Sequence, residues 1–214
     1  MTVTRRSLAL AALAAPLAAT LARPAAAAGL APADQALVDR AVAYLEGLTE
    51  AKAKFVQTDA RGRATTGAVY LKRPGKARFD YDPPSGLLVV SDGDIVSVQD
   101  TRLKTFDRYP LGATPLSLFL AKTIRLDKGV AIARVQRMAN GFSITARDGK
   151  KETAGEITLT FHDAPLALEG WTVTDAQGRP TRVQLIDLQP ARGLAKKLFV
   201  LEDPRPKNVG RGKV

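Results

Sequence analysis

The chain carries one histidine, His162, and no cysteine. Acid–base and nucleophilic chemistry therefore has little to work with. A Ser-His-Asp site would have to join His162 to Ser91, Ser97, Ser117 or Ser143, and none of these serines stands in a G-x-S-x-G elbow. A zinc site needs several ligands of the His, Cys or carboxylate type, and a lone histidine with no cysteine does not supply them. Asp80 and Asp82 lie two apart in FDYD, on one face of a strand, and imitate a carboxylate pair. Asp82 nevertheless precedes Pro83-Pro84, the setting of a turn residue. Neither a G-x-x-x-x-G-K-[ST] nor a G-x-G-x-x-G phosphate loop occurs. These residues point away from an enzyme and imply no cofactor or metal. Arg73 is left over. It stands in YLKRPGKARFDYDPP (residues 70–84), between two apolar alternating runs and directly before Pro74. Pro74 biases it toward extended backbone, so its side chain projects from a strand end.

The elements that would position Arg73 follow from the hydrophobic period. ADQALVDRAVAYLEGL (residues 33–48) places Leu37, Ala41, Val42, Leu45 and Leu48 on one helical stripe, with Asp34 in the first turn. The period then changes to two. AKAKFVQT, TTGAVYLKR, KARFDYD, GLLVVS, DIVSVQD and RLKTFDRYP read as six strands, joined by turns such as DARGR and Asp92-Gly93. Short strands linked by tight turns describe an antiparallel meander. The meander breaks at PLGATPLSLFLAK, where Thr114-Pro115 opens a short, very apolar helix containing Leu116, Leu118, Phe119 and Leu120. IRLDKGVAIARVQRM is ambiguous between helix and strand. Strands resume with GFSITARD, GEITLTFHD, LEGWTVTDAQG, TRVQLIDLQP and KKLFVLEDP, before the short basic tail PKNVGRGKV. The inward positions of such a sheet are expected at Val69, Leu71, Phe79, Tyr81, Leu88, Val90, Val96, Val98 and Phe106. A ligand cavity and plain core packing both account for that lining.

Composition narrows the setting. The first 28 residues have a basic start (Arg5, Arg6), an apolar Ala/Leu run and a small-residue end at Ala26-x-Ala28, the anatomy of a cleaved export signal. Arg5-Arg6-Ser7-Leu8 also resembles a twin-arginine signal. Residues 29–214 then form the mature chain, read as one domain and as a soluble periplasmic monomer. Without cysteine it cannot carry the lipid anchor of a bacterial lipoprotein. Setting aside Arg5, Arg6 and Arg23 from the 32 basic residues leaves 29 against 21 acidic ones, a balance that favours anionic partners or solubility. Nothing interleaves aromatic and basic residues in the way nucleic-acid stacking requires, so nucleic acid is not expected.

The residues F-x-Q in the first strand, G-x-x-x-L-K-R-P-G-K-x-R-F-x-Y-x-P-P, S-D-G and P-L-x-x-T-P-L-x-x-x-L occur in that order between about residues 33 and 125. In this the chain resembles the outer-membrane lipoprotein carrier family, LolA-like. The resemblance implies a mainly β fold: an unclosed antiparallel barrel or strongly curved sheet, capped by lid helices and enclosing a hydrophobic cavity. It implies triacylated lipoproteins as cargo, taken from an inner-membrane ABC-type releasing complex. Delivery would be to an outer-membrane acceptor lipoprotein or to the outer membrane directly. The family's lid-holding arginine falls on Arg73, and the implied lids carry Leu45, Leu48, Leu116, Phe119 and Leu120. The expected partners of Arg73 are the C-terminal carbonyls of the 33–48 and 114–121 helices, which helices leave unpaired. Positions where family members often carry tryptophan read Asp80 and Ser97 or Val98, and the sole tryptophan is Trp171. The same barrel would also suit a lipid-sensing regulator or a carrier of free lipid.

Overall fold

Alternation of apolar and polar residues sets strand after strand here, and the computed structural model shows how they pair. It describes residues 29–205 apart from 115, 123, 125–129 and 149–154, and the side chains of Leu118, Phe119 and Asp148 are likewise outside the description. The helix α1 (Pro32–Gly47) is followed by six strands: β1 (Glu50–Thr58), β2 (Ala64–Lys72), β3 (Lys76–Tyr81), β4 (Leu87–Asp92), β5 (Ile95–Asp100) and β6 (Thr105–Pro110). A 3-10 turn at Leu111–Ala113 leads to the one-turn helix α2 (Ser117–Leu120). Five strands follow: β7 (Val130–Met138), β8 (Gly141–Asp148), β9 (Glu156–Asp163), β10 (Leu166–Thr174) and β11 (Pro180–Pro190). The ambiguous segment ending at Met138 is strand from Val130 onward.

All eleven strands join one antiparallel sheet in the order β6-β5-β4-β3-β2-β1-β11-β10-β9-β8-β7. The two chain halves meet where β1 pairs with β11. β6 and β7 are its edges, so the sheet does not close. It is nonetheless strongly curled. β3 and β10 are four strand spacings apart, roughly 19 Å on a flat sheet, yet the rings of Phe79 and Trp171 have centroids 6.1 Å apart. Phe55 of β1 lies between them in strand order, edge-on to Phe79 at 5.7 Å and to Tyr81 at 5.0 Å. Gly67 faces Phe55 across the β1–β2 ladder, and a Cβ there would lie 2.8 Å from the Phe55 ring and 2.1 Å from the Asp80 carbonyl. Glycine is thus what lets the ring lie flat on the sheet.

Register sorts the strands into two faces, because directly paired residues of antiparallel strands point the same way. One face carries the rows Ala53–Val69–Phe79–Val89–Val98 and Ala51–Leu71–Ala77–Ser91–Val96. α1 packs on this face through Leu37, Val38, Ala41 and Leu45, with Tyr44 edge-on to Phe161 and Arg40 over Phe142. The opposite face carries Tyr70–Arg78–Val90–Ser97–Arg108 and Asp80–Leu88–Gln99–Phe106. Leu88, Val90 and Phe106 therefore do not belong with the inward residues expected from sequence. LLVV is an unbroken apolar run whose parity the pattern does not reveal, and its register comes from the flanking turns.

Val90 and Phe106 are buried all the same, because the C-terminal segment crosses the back of the sheet. KKLFVLEDP, expected as a strand, forms a 3-10 turn at Lys196–Phe199 and then runs irregularly. Its attachments replace a ladder. Leu194 N–H donates to Glu50 Oε2, Lys72 Nζ to Leu194 O, and Arg78 Nη1 to Leu198 O. Phe199 is fully buried, and the Arg205 guanidinium sits 5.7 Å over the Phe106 ring. The segment acts as a strap.

Candidate functional site

Arg73 leaves β2 one residue past its end, in the three-residue turn that returns the chain into β3. Its own amide N–H donates to Thr49 O at 2.7 Å, which ties the turn to the chain emerging from α1. Its side chain spans two separate elements. Nη1 donates to Leu45 O in the last turn of α1, and Nη2 donates to Ala121 O, just past α2, at 2.7 Å. A helix leaves its last carbonyls without intrahelical partners. A planar guanidinium with donors in a fixed fork satisfies two such groups at once, where a single-point donor would not. Nε is buried and has no hydrogen-bond partner among the described residues. Burial pushes the Arg73 guanidinium below its usual pKa, and the nearby Glu46 carboxylate works in the other direction. Arginine retains its charge under such a shift.

Between the segment entering α2 and the curled sheet lies an apolar cavity of about 280 Å³. Its walls are Gln57, Phe79, Tyr81, Trp171, Val173, Thr181 and Val183 from the sheet, with Thr114 and Leu116 from the segment entering α2. Tyr81 closes one side by donating its hydroxyl to Gln57 Oε1 at 2.7 Å. Burial pushes its pKa up to about 12, against the opposing effect of that hydrogen bond.

The sequence-predicted lining divides accordingly. Phe79 and Tyr81 reach the cavity. Val69, Leu71 and Val96 are buried on the lid face outside the walls of this cavity, and Val98 is half-buried there. Leu88, Val90 and Phe106 are on the back. Of the lid residues, Leu45, Leu48 and Leu120 are buried and Leu116 lines the cavity, while the Phe119 side chain lies outside the described residues. Sequence reasoning missed Trp171, Val173, Thr181 and Val183, although the alternation of WTVT and TRVQL carried the signal. The residues weighed for catalysis do not assemble. Asp80 pairs with Arg78 on the back face, Asp82 accepts from Thr66 Oγ, and His162 Nδ1 lies 3.2 Å from Pro165 O at an exposed strand end. No helix among the described residues is long and apolar enough to cross a membrane.

Comparison of the sequence with known proteins identifies a family. The family model for "Outer membrane lipoprotein carrier protein LolA" covers residues 46–202, well beyond the stretch that carries the short motifs. An outer-membrane lipoprotein carrier protein of Chromohalobacter salexigens is 29% identical over 184 residues, covering 81% of this chain and 86% of its own. Its counterpart in Chromobacterium violaceum is 27% identical over 206 residues, covering 92% and 98%. Among solved structures, a LolA superfamily protein of Nitrosomonas europaea aligns over 76% of this chain and 97% of its own, with 10% identity and a TM-score of 0.45.

Proposed function

The chain belongs to the LolA family of lipoprotein carriers, which bind cargo and perform no catalysis, and from this we propose that it ferries lipoproteins across the periplasm with their acyl chains held in the cavity. Residues 1–28 direct export and are removed, leaving residues 29–214 as a soluble carrier. It receives triacylated lipoproteins from an ABC-type releasing complex in the inner membrane and hands them to the outer membrane or to an acceptor there. The observation that supports this most is Arg73 reaching carbonyls at the ends of both α1 and α2, while the segment entering α2 covers an apolar cavity.

The energetics favour a lid that opens. Each methylene hidden from water is worth about 0.8 kcal/mol, so acyl chains drive themselves under the lids. A cavity of about 280 Å³ falls just under the ~300–1,000 Å³ range of small-molecule pockets and is too small for three acyl chains. Loading must therefore break the Arg73 bonds and lift α2 away from the sheet. The broken Arg73 hydrogen bonds raise the energy of the loaded state, which helps release, and hydration of the buried, unpaired Nε offsets part of that cost.

The test is to purify the protein from its native periplasm and identify what is bound by mass spectrometry. Intact triacylated lipoprotein is the expected result. Free lipid alone, or none, would overturn the reading. In a transfer assay, Arg73→Leu is expected to load cargo but deliver it poorly, and normal delivery would remove Arg73 from the mechanism.

A further inference from the structure

Ser91 is buried, 2% exposed, on the lid face of β4, where its row neighbours are Ala77 and Val96. An apolar residue would pack there without having to bury a hydroxyl. The hydroxyl has a specific use: Oγ donates to Gly75 O at 2.7 Å. The amide N–H of the same Gly75 donates to Leu120 O at 2.7 Å. One residue of the turn is thus bonded to the sheet through its carbonyl and to α2 through its N–H. Two residues earlier in the turn, Arg73 Nη2 reaches Ala121 O. The turn accordingly holds two consecutive carbonyls at the end of α2. It also has no slack toward the sheet. Gly75 has φ +74°, and a Cβ on it would meet Gly93 Cα at 2.7 Å and Gly93 O at 2.9 Å, in the β4–β5 turn.

We propose that Ser91 is a positioning residue for the lid: its hydroxyl fixes the Arg73–Pro74–Gly75 turn at the height from which Gly75 and Arg73 together grip Leu120 and Ala121. This rests on the reading of Arg73 as the group that keeps the cavity closed. It assigns to the buried serine of S-D-G a part in lid closure, distinct from the hairpin formed by Asp92 and Gly93.

The experiment is a double-mutant cycle read by affinity for a fluorescent C16 fatty acid, with urea unfolding in parallel. A lid that opens more easily lowers the conformational cost of binding and tightens it. Ser91→Ala is expected to tighten binding about fivefold, the ordinary net effect of one hydrogen bond. Arg73→Leu is expected to tighten it at least as much, and the double variant by less than the two effects combined, because Gly75 still holds Leu120 O when Arg73 is gone. Ser91→Thr, which keeps the hydroxyl, should return toward wild-type affinity. A residue that merely stabilises the sheet would lower the urea midpoint without tightening binding, and that result overturns the proposal. So does full additivity in the cycle, or wild-type affinity for Ser91→Ala when Arg73→Leu binds more tightly. If Arg73→Leu itself leaves affinity unchanged, the closed-lid reading fails first.

Discussion

A lysine at position 73 would keep the charge and lose the grip. Its ammonium is a point donor on a flexible stem, able to serve Leu45 O or Ala121 O but without the planar fork that serves both. Arg73→Lys is therefore expected to bind a fluorescent fatty acid with an affinity nearer Arg73→Leu than wild type, and affinity equal to wild type would show that charge alone suffices. Tyr81 makes a second residue-scale prediction, through pH. Its phenol titrates near 10 when exposed and at about 12 in the fold, so the folded state holds the proton more tightly. That contribution is complete below pH 10 and is lost as pH rises through 12, at most about 3 kcal/mol. Unfolding measured between pH 9 and 12 should show a steeper loss for wild type than for Tyr81→Phe, and parallel curves would refute it. At this scale the pattern showed only that Arg73 is a charged residue beside a proline at the rim of an apolar sheet, and its expected role came from the family resemblance. Ser91 and Gly75 were not legible in this role, since their bond joins two turns that only the folded sheet brings together.

At the scale of elements, the back strap separates stability from binding. Phe199 is fully buried against the face of the sheet opposite the cavity. Phe199→Ala should cost about 3–5 kcal/mol in urea unfolding, the usual range for emptying a buried aromatic site. Fatty-acid affinity should stay unchanged, because no cavity-lining residue belongs to the strap. A comparable loss of both would mean that the two faces are coupled through β3 and β4. The strands themselves were readable from alternation, from AKAKFVQT to TRVQLIDLQP, along with their antiparallel turns. The assignment of faces failed where alternation failed, in LLVV, and where a single aromatic stood among polar residues, as Phe106 does. KKLFVLEDP misled for a related reason: its apolar residues mark a segment that covers a sheet, and coverage leaves the same composition as pairing.

The curl of the whole sheet is what brings the two halves of the chain to one cavity, and it was not available from local pattern. Phe79 and Tyr81 come from the half that carries the short motifs, Trp171 and Val183 from the other. They meet only because β1 pairs with β11 and the sheet bends until Phe79 lies edge-on to Trp171. Each half alone presents an open apolar face, and the cavity is a property of both. This makes Trp171 a reporter for the molecule as a unit. It is the sole tryptophan of the chain, it is 3% exposed, and it lines the cavity. A fatty acid brominated along its chain quenches indole emission only on close approach, so its entry under the lids should extinguish most of the protein's tryptophan fluorescence. The unbrominated chain should bind with the same affinity and quench little. If Arg73 holds the lid as proposed, Arg73→Leu should reach half-quenching at lower ligand concentration. Retention of full emission at saturating brominated ligand would place the acyl chain elsewhere than between Phe79 and Trp171, whatever the affinity measured by other means.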